Sequence, residues 1–89
     1  MNPGLKNELE KLHKKLKNIK HTDDETRNHL ENLKSDIENI LNNPDKKIME
    51  SKEDIISNFR DYTLKFEANH SEVSESLNII VHTLSNMGM

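Results

Sequence analysis

The stretch Val73-Ser74-Glu75-Ser76-Leu77-Asn78-Ile79-Ile80-Val81-His82-Thr83-Leu84-Ser85-Asn86-Met87 decides the fold. Val73, Leu77, Ile80, Leu84 and Met87 recur at intervals of four and three, which puts them on one stripe of an α-helix. Val81 widens the stripe on one flank, while Ile79 falls on the side where a helix buried along a single seam should be polar. Ser71 or Asn69 is placed to cap the first free N–H groups. Glu72 and Glu75 sit where the helix macrodipole favours acids, and Gly88 sits where a left-handed C-terminal residue is wanted.

Upstream, the same spacing recurs three times. Leu5, Leu9, Leu12, Leu16 and Ile19 form a narrow seam, with Asn2 as N-cap and Pro3 at the first helical position. The stretch from His21 to Asp24 ends that helix. Thr22 and Glu25 have capping-box spacing for the next, whose seam is Thr26, Leu30, Leu33, Ile37 and Ile40 with Leu41 alongside. Asn42-Asn43-Pro44-Asp45 stops it, because Pro44 disfavours a helical residue before it and has no N–H to donate. A third helix is expected to begin between Asp45 and Ile48. Its seam is Ile48, Ile55, Phe59, Tyr62 and Phe66, with Lys52 at one seam position and Ile56 and Thr63 broadening the face. The chain's three aromatic residues all lie here, so this helix is the expected centre of packing.

Four helices in 89 residues make one small all-α domain, read as two antiparallel hairpins over about 3–42 and 46–88. One third of the residues are charged, which suits long solvated helices. The core and interface positions expected to matter most are Leu12, Leu16, Leu30, Leu33, Phe59, Tyr62, Phe66, Leu77, Ile80 and Leu84. A lone bundle of this size is marginal, and the thin leucine seams together with Ile56, Ile79 and Val81 ask for additional cover. A homodimer with two-fold symmetry and coiled-coil-like packing is therefore the expected assembly.

The run Phe66-Glu67-x-x-His70, then Leu77-Asn78-x-Ile80, then Leu84-Ser85-Asn86-Met87-Gly88 resembles the C-terminal signature of a family of short bacterial proteins of unknown function. Ser71 stands where that family commonly has a proline. The resemblance implies a small helical protein and hands over no activity.

Charge is segregated. Residues 1–20 carry six lysines against Glu8 and Glu10, net +4, and residues 21–45 carry seven acids against Arg27 and Lys34, net −5. A basic helix followed by an acidic one suggests an antiparallel pair with complementary flanks. Lys6, Lys11, Lys14, Lys15, Lys17 and Lys20 raise nucleic acid as a partner. They include no arginine or aromatic residue to read or stack a base, so a solvated or helix-paired face is preferred. A membrane-surface role fares worse, since the apolar side of this helix is a thin leucine stripe without Trp or Phe.

Catalysis finds little footing: there is no cysteine, no glycine-rich phosphate loop and no nucleophile turn. The chain is read as a non-enzyme without cofactors. The competing reading is a small metal- or ligand-binding bundle. A hairpin turning near residues 21–22 would bring His13 level with His29, and Glu25, one turn before His29, would be a third ligand for zinc. His70 is read as a structural residue of the corner and His82 as solvated. No signal-peptide core and no bilayer-length apolar run are present, so a cytoplasmic protein is expected. The preferred function is structural: helix–helix packing with a second copy or another protein.

Overall fold

The computed structural model describes residues 3–20 and 23–86. Four helices follow in order: α1 (Pro3–Asn18), α2 (Asp24–Asn42), α3 (Pro44–Phe66) and α4 (Ser71–Ser85), with no strand among the described residues. Each helix packs on the one before it, and α4 returns to pack on α1, so the helices stand at the corners of a square in up-down-up-down order. Their extents, 39 × 22 × 19 Å, are those of a single bundle.

The four seams converge on one interior. Leu5, Leu9, Leu12 and Leu16 from α1 meet Leu30, Leu33, Ile37 and Ile40 from α2, Ile55, Phe59 and Phe66 from α3, and Val73, Leu77, Ile80 and Leu84 from α4. Ile19, Leu41, Ile48 and Tyr62 pack against this core from its margins. Ile56 and Val81, expected to need outside cover, are buried within the one chain, whereas Ile79 stays half exposed. The narrow stripes find their cover in each other because two hairpins laid side by side present four of them to a common axis.

The helix ends correct several expectations. Asp23, not Thr22, caps α2: its carboxylate accepts from the Thr26 N–H at 2.7 Å. The proposed Asn2 cap and Thr22, like Met87 and Gly88, lie outside the described residues. Helix α3 begins at Pro44 itself, since the missing proline N–H costs nothing at a first helical position. Asn43 therefore serves both helices, ending α2 with its N–H on the Ile40 carbonyl at 3.3 Å and preceding α3 directly. Neither Ser71 nor Asn69 caps α4. His70 takes the N-cap position with no side-chain capping bond, and its carbonyl accepts from the Val73 and Ser74 N–H groups. Helix α3 also departs from one unbroken seam. Ser51 has non-helical backbone angles (φ −133°, ψ 21°), so Pro44–Glu50 and the long segment after it meet at a kink beside the seam position of Lys52.

Candidate functional site

The end of α3 carries a row of rings. Tyr62 stacks on Phe66 with centroids 6.1 Å apart and planes 3° from parallel, and Phe66 takes His70 edge-on at 6.2 Å. One helical turn separates the members of each pair, so a seam of aromatic residues at spacing four builds the row automatically. Lys65 reaches over the Tyr62 ring at 5.5 Å. The Tyr62 hydroxyl donates to Asp36 on α2 at 3.2 Å. Burial, then the Asp36 charge and this hydrogen bond, push the Tyr62 hydroxyl up to about 12.

His70 is buried at the corner. Its N–H donates to the Phe66 carbonyl at 2.8 Å, and its Nδ1 stands 3.6 Å from Glu72 Oε1. The His70 N–H ties the corner to the end of α3, and its ring and carbonyl tie it to the first turn of α4. Higher up the same interface, the buried Ser74 hydroxyl donates to the Thr63 carbonyl at 3.3 Å. Such a short polar side chain lets two helices approach closely while satisfying a carbonyl already used in the helix.

The α1–α2 side is built differently. Leu12 and Leu33 are fully buried, but Leu16 and Leu30, nearer the connection, keep 7% and 6% of their surface open. They line a cleft of about 290 Å³ together with Ile19, and its rim is Lys17, Arg27, Lys34 and Glu31. Three cations against one acid leave this rim positive. Arg27 is engaged with Asp24 at 3.3 Å. A second cleft, of about 200 Å³, lies between α2 and α3 at the Ser51 kink, with Asp36, Asn39, Lys47, Asp54 and Asn58 around a floor of Ile40, Ile55 and Phe59.

The histidine–carboxylate grouping is not assembled. His13 Nε2 stands 2.8 Å from Glu38 Oε2, far along α2 from His29, while His29 lies 3.8 Å from Glu25. The physical reason is the register of the hairpin. Helix α2 is slid along α1 from the symmetric register that the helix ends would give, so His13 meets Glu38, and about 13 Å of helix rise separates Glu38 from His29. Among the described residues, no three His, Asp or Glu side chains come together in a way that could hold a metal ion.

Among the described residues no lysine of α1 forms an ion pair with an acid of α2, although the Lys17 charge adds to the lowering of Glu38. Among the described residues the only ion pair between these helices is His13–Glu38, and it holds the Glu38 carboxyl below its usual range, chiefly through the hydrogen bond. Lys15 instead donates to the buried Ser76 hydroxyl of α4 at 3.0 Å. The remaining core and interface positions, Leu77, Ile80, Leu84 and Phe59, are buried in the interior, and Tyr62 is half buried at its edge.

Among the described residues no buried side-chain nitrogen or oxygen lacks a hydrogen-bond partner, so no interior polar atom is waiting for a ligand. No described helix is long and apolar enough to cross a membrane. No curated protein and no solved structure matches the chain. A family model does, from the first buried leucine of α1 through α4 to the C-terminal residues: over residues 5–89 the chain belongs to the family described as Domain of unknown function (DUF4404).

Proposed function

We propose that this chain is a small helical interaction module, working by association through its outer helix faces and not by catalysis, with a second copy of itself as its first partner. The observation that carries this reading is the closed interior: apolar side chains from all four helices fill one core, and its buried polar groups are satisfied from within. A bundle filled in this way keeps no water-excluded chamber for chemistry, and its working surface is its exterior. Among the described residues that exterior carries three large exposed apolar side chains, Met49, Leu64 and Ile79, on a charged background.

The same reading supplies a role for the C-terminal run. We infer that, within the run from Phe66 to Gly88, Phe66 and His70 serve to close the α3–α4 corner, on which the placement of α4 depends. A bacterial, cytoplasmic setting belongs to the same proposal, and the cysteine-free sequence is compatible with a reducing compartment.

Chemical cross-linking of the intact protein in native lysate, followed by identification of what it is joined to, tests the reading. Joined copies of the chain, or one recurrent protein partner, are the expected products. Stoichiometric uptake of zinc on dialysis, or turnover of a small molecule by the purified protein with no cross-linked species, would overturn it.

A further inference from the structure

Two features of the exterior fit each other. On α3, Tyr62 reaches toward α2, and Thr63 donates its hydroxyl to the Phe59 carbonyl while its own carbonyl receives Ser74 from α4. The next residue, about 100° further round the helix, is Leu64, thrown outward on the α4 side and 71% exposed. Asp61 and Glu67, three residues before and after, are both exposed and share its face. An exposed leucine with two carboxylates and one cation, Arg60, on its face is thus presented as a knob. On the opposite side of the square, the α1–α2 cleft offers Leu16, Ile19 and Leu30 as an apolar floor and Lys17 and Lys34 on its rim.

We propose that the α1–α2 cleft is the docking site for Leu64 of a second copy, with Asp61 and Glu67 of that copy meeting Lys17 and Lys34. This rests on the reading of the chain as an interaction module and names the surface it uses. Burying the knob covers the leucine most exposed on the molecule and finishes the cover of Leu16 and Leu30. Met49 is more exposed still, but the charges around it are mixed, Lys46 and Lys52 beside Glu50 and Glu53. Other anionic partners fit less well. The leucines a membrane anchor would insert, Leu5, Leu9, Leu12 and Leu16, are committed to the core. Because knob and cleft lie on opposite sides of the bundle, the contact repeats head to tail and does not close a two-fold pair.

Sedimentation velocity over a concentration series, at low and at high salt, tests the contact. The wild-type sedimentation coefficient is expected to rise with concentration, less so at high salt. Leu64→Asp should weaken association by about tenfold or more, with helical content unchanged because the side chain is exposed. The pair Lys17→Glu/Lys34→Glu should weaken it as well, and combining it with Asp61→Lys/Glu67→Lys should restore it. Met49→Asp should leave it as it was. A wild-type protein that sediments as a single copy at every concentration overturns the contact, as does association that Leu64→Asp leaves unchanged or Met49→Asp weakens equally. In each of those cases a recurrent foreign partner in the lysate cross-linking would leave the broader reading standing. Its absence as well would remove both.

Discussion

Between α3 and α4 the buried side chains include Phe59, Phe66 and Val81, with the Ser74 hydroxyl on the Thr63 carbonyl and a ring row that ends on a buried histidine. Between α1 and α2 the buried side chains are leucine and isoleucine, the exposed His13–Glu38 contact lies outside them, and the seam opens where Leu16 and Leu30 approach the connection. The α3–α4 contact is the most extensive of the four, and its connection is the four residues from Glu67 to His70, closed by backbone hydrogen bonds on both sides of His70. One hairpin is finished within the chain. The other has its core positions filled but leaves an apolar edge in a basic frame. The difference suggests that the α3–α4 hairpin supplies rigidity and the α1–α2 hairpin supplies a surface, and the two should respond differently to the same kind of change.

The largest contrast should come from truncating one core side chain on each side. Phe66→Ala removes a buried ring together with its contacts to Tyr62 and His70, and is expected to cost about 3–5 kcal/mol. Leu16→Ala, at the open end of the α1–α2 seam, should cost about 2 kcal/mol, the low end for a leucine, because water already reaches its edge. Urea denaturation followed by helical circular dichroism separates them. Equal losses would mean that the α1–α2 seam is as tightly closed as the corner and that the comparison is mistaken.

A smaller effect is expected at the helix starts, where the two hairpins again differ. Asp23→Ala deletes the one side-chain cap seen at the start of α2 and should cost about 1 kcal/mol, with faster amide exchange at Thr26. At the start of α4 there is no side-chain cap to lose, so His70→Ala should act through the Phe66 packing instead. Its signature would be loss spread over the corner and not exchange confined to the first turn of α4.

Much of this architecture was legible in the spacing of apolar residues, for a specific reason. Each seam is a nearly unbroken run of four- and three-residue intervals, and a helix has one way to use such a stripe. The ends were less legible. Thr22 and Asp23 are adjacent good caps, and choosing between them needs the backbone angles of the residue that leaves the helix. The kink at Ser51 has no proline or glycine to announce it. The grouping of His13, Glu25 and His29 failed because it assumed a tight turn at residues 21–22, and sliding the hairpin moved His13 to Glu38. The premise that Ile56 and Val81 lack cover within one chain went wrong differently, since summing apolar residues helix by helix ignores that four stripes can face one axis. Leu64 went unnoticed for the opposite reason: it belongs to no seam, and only the positions of its neighbours Tyr62 and Thr63 show where it points.

The finished hairpin carries its own spectroscopic reporter. Tyr62 is the only tyrosine and there is no tryptophan, so phenolate absorbance near 295 nm reads one residue. Its hydroxyl should ionise near 12, above the ordinary 10, with burial as the leading cause and Asp36 next. The folded state therefore holds a proton that the unfolded chain releases first. The resulting stabilisation is complete below pH 10 and is lost as pH rises from there toward 12. Asp36→Asn should bring the midpoint down part of the way, because burial remains. A wild-type midpoint near 10 with helical dichroism intact would show the α2–α3 edge to be more open than the structure has it.

The smallest expected effect belongs to the open hairpin and has the opposite pH sense. The hydrogen bond from His13 holds the Glu38 carboxyl below its usual range, so the folded state keeps a carboxylate ionised where the unfolded chain would protonate it. That contribution is present above the unfolded carboxylate value near 4.5 and fades as pH falls through the lowered folded value. The pair is exposed, and exposed pairs hold register more than they hold the fold. His13→Ala should therefore raise the Glu38 midpoint in a carbon-detected NMR titration while barely moving the denaturation midpoint at neutral pH. If the Glu38 midpoint does not move, the His13–Glu38 hydrogen bond is not formed in solution, and the register of α1 against α2 rests on the apolar seam without it.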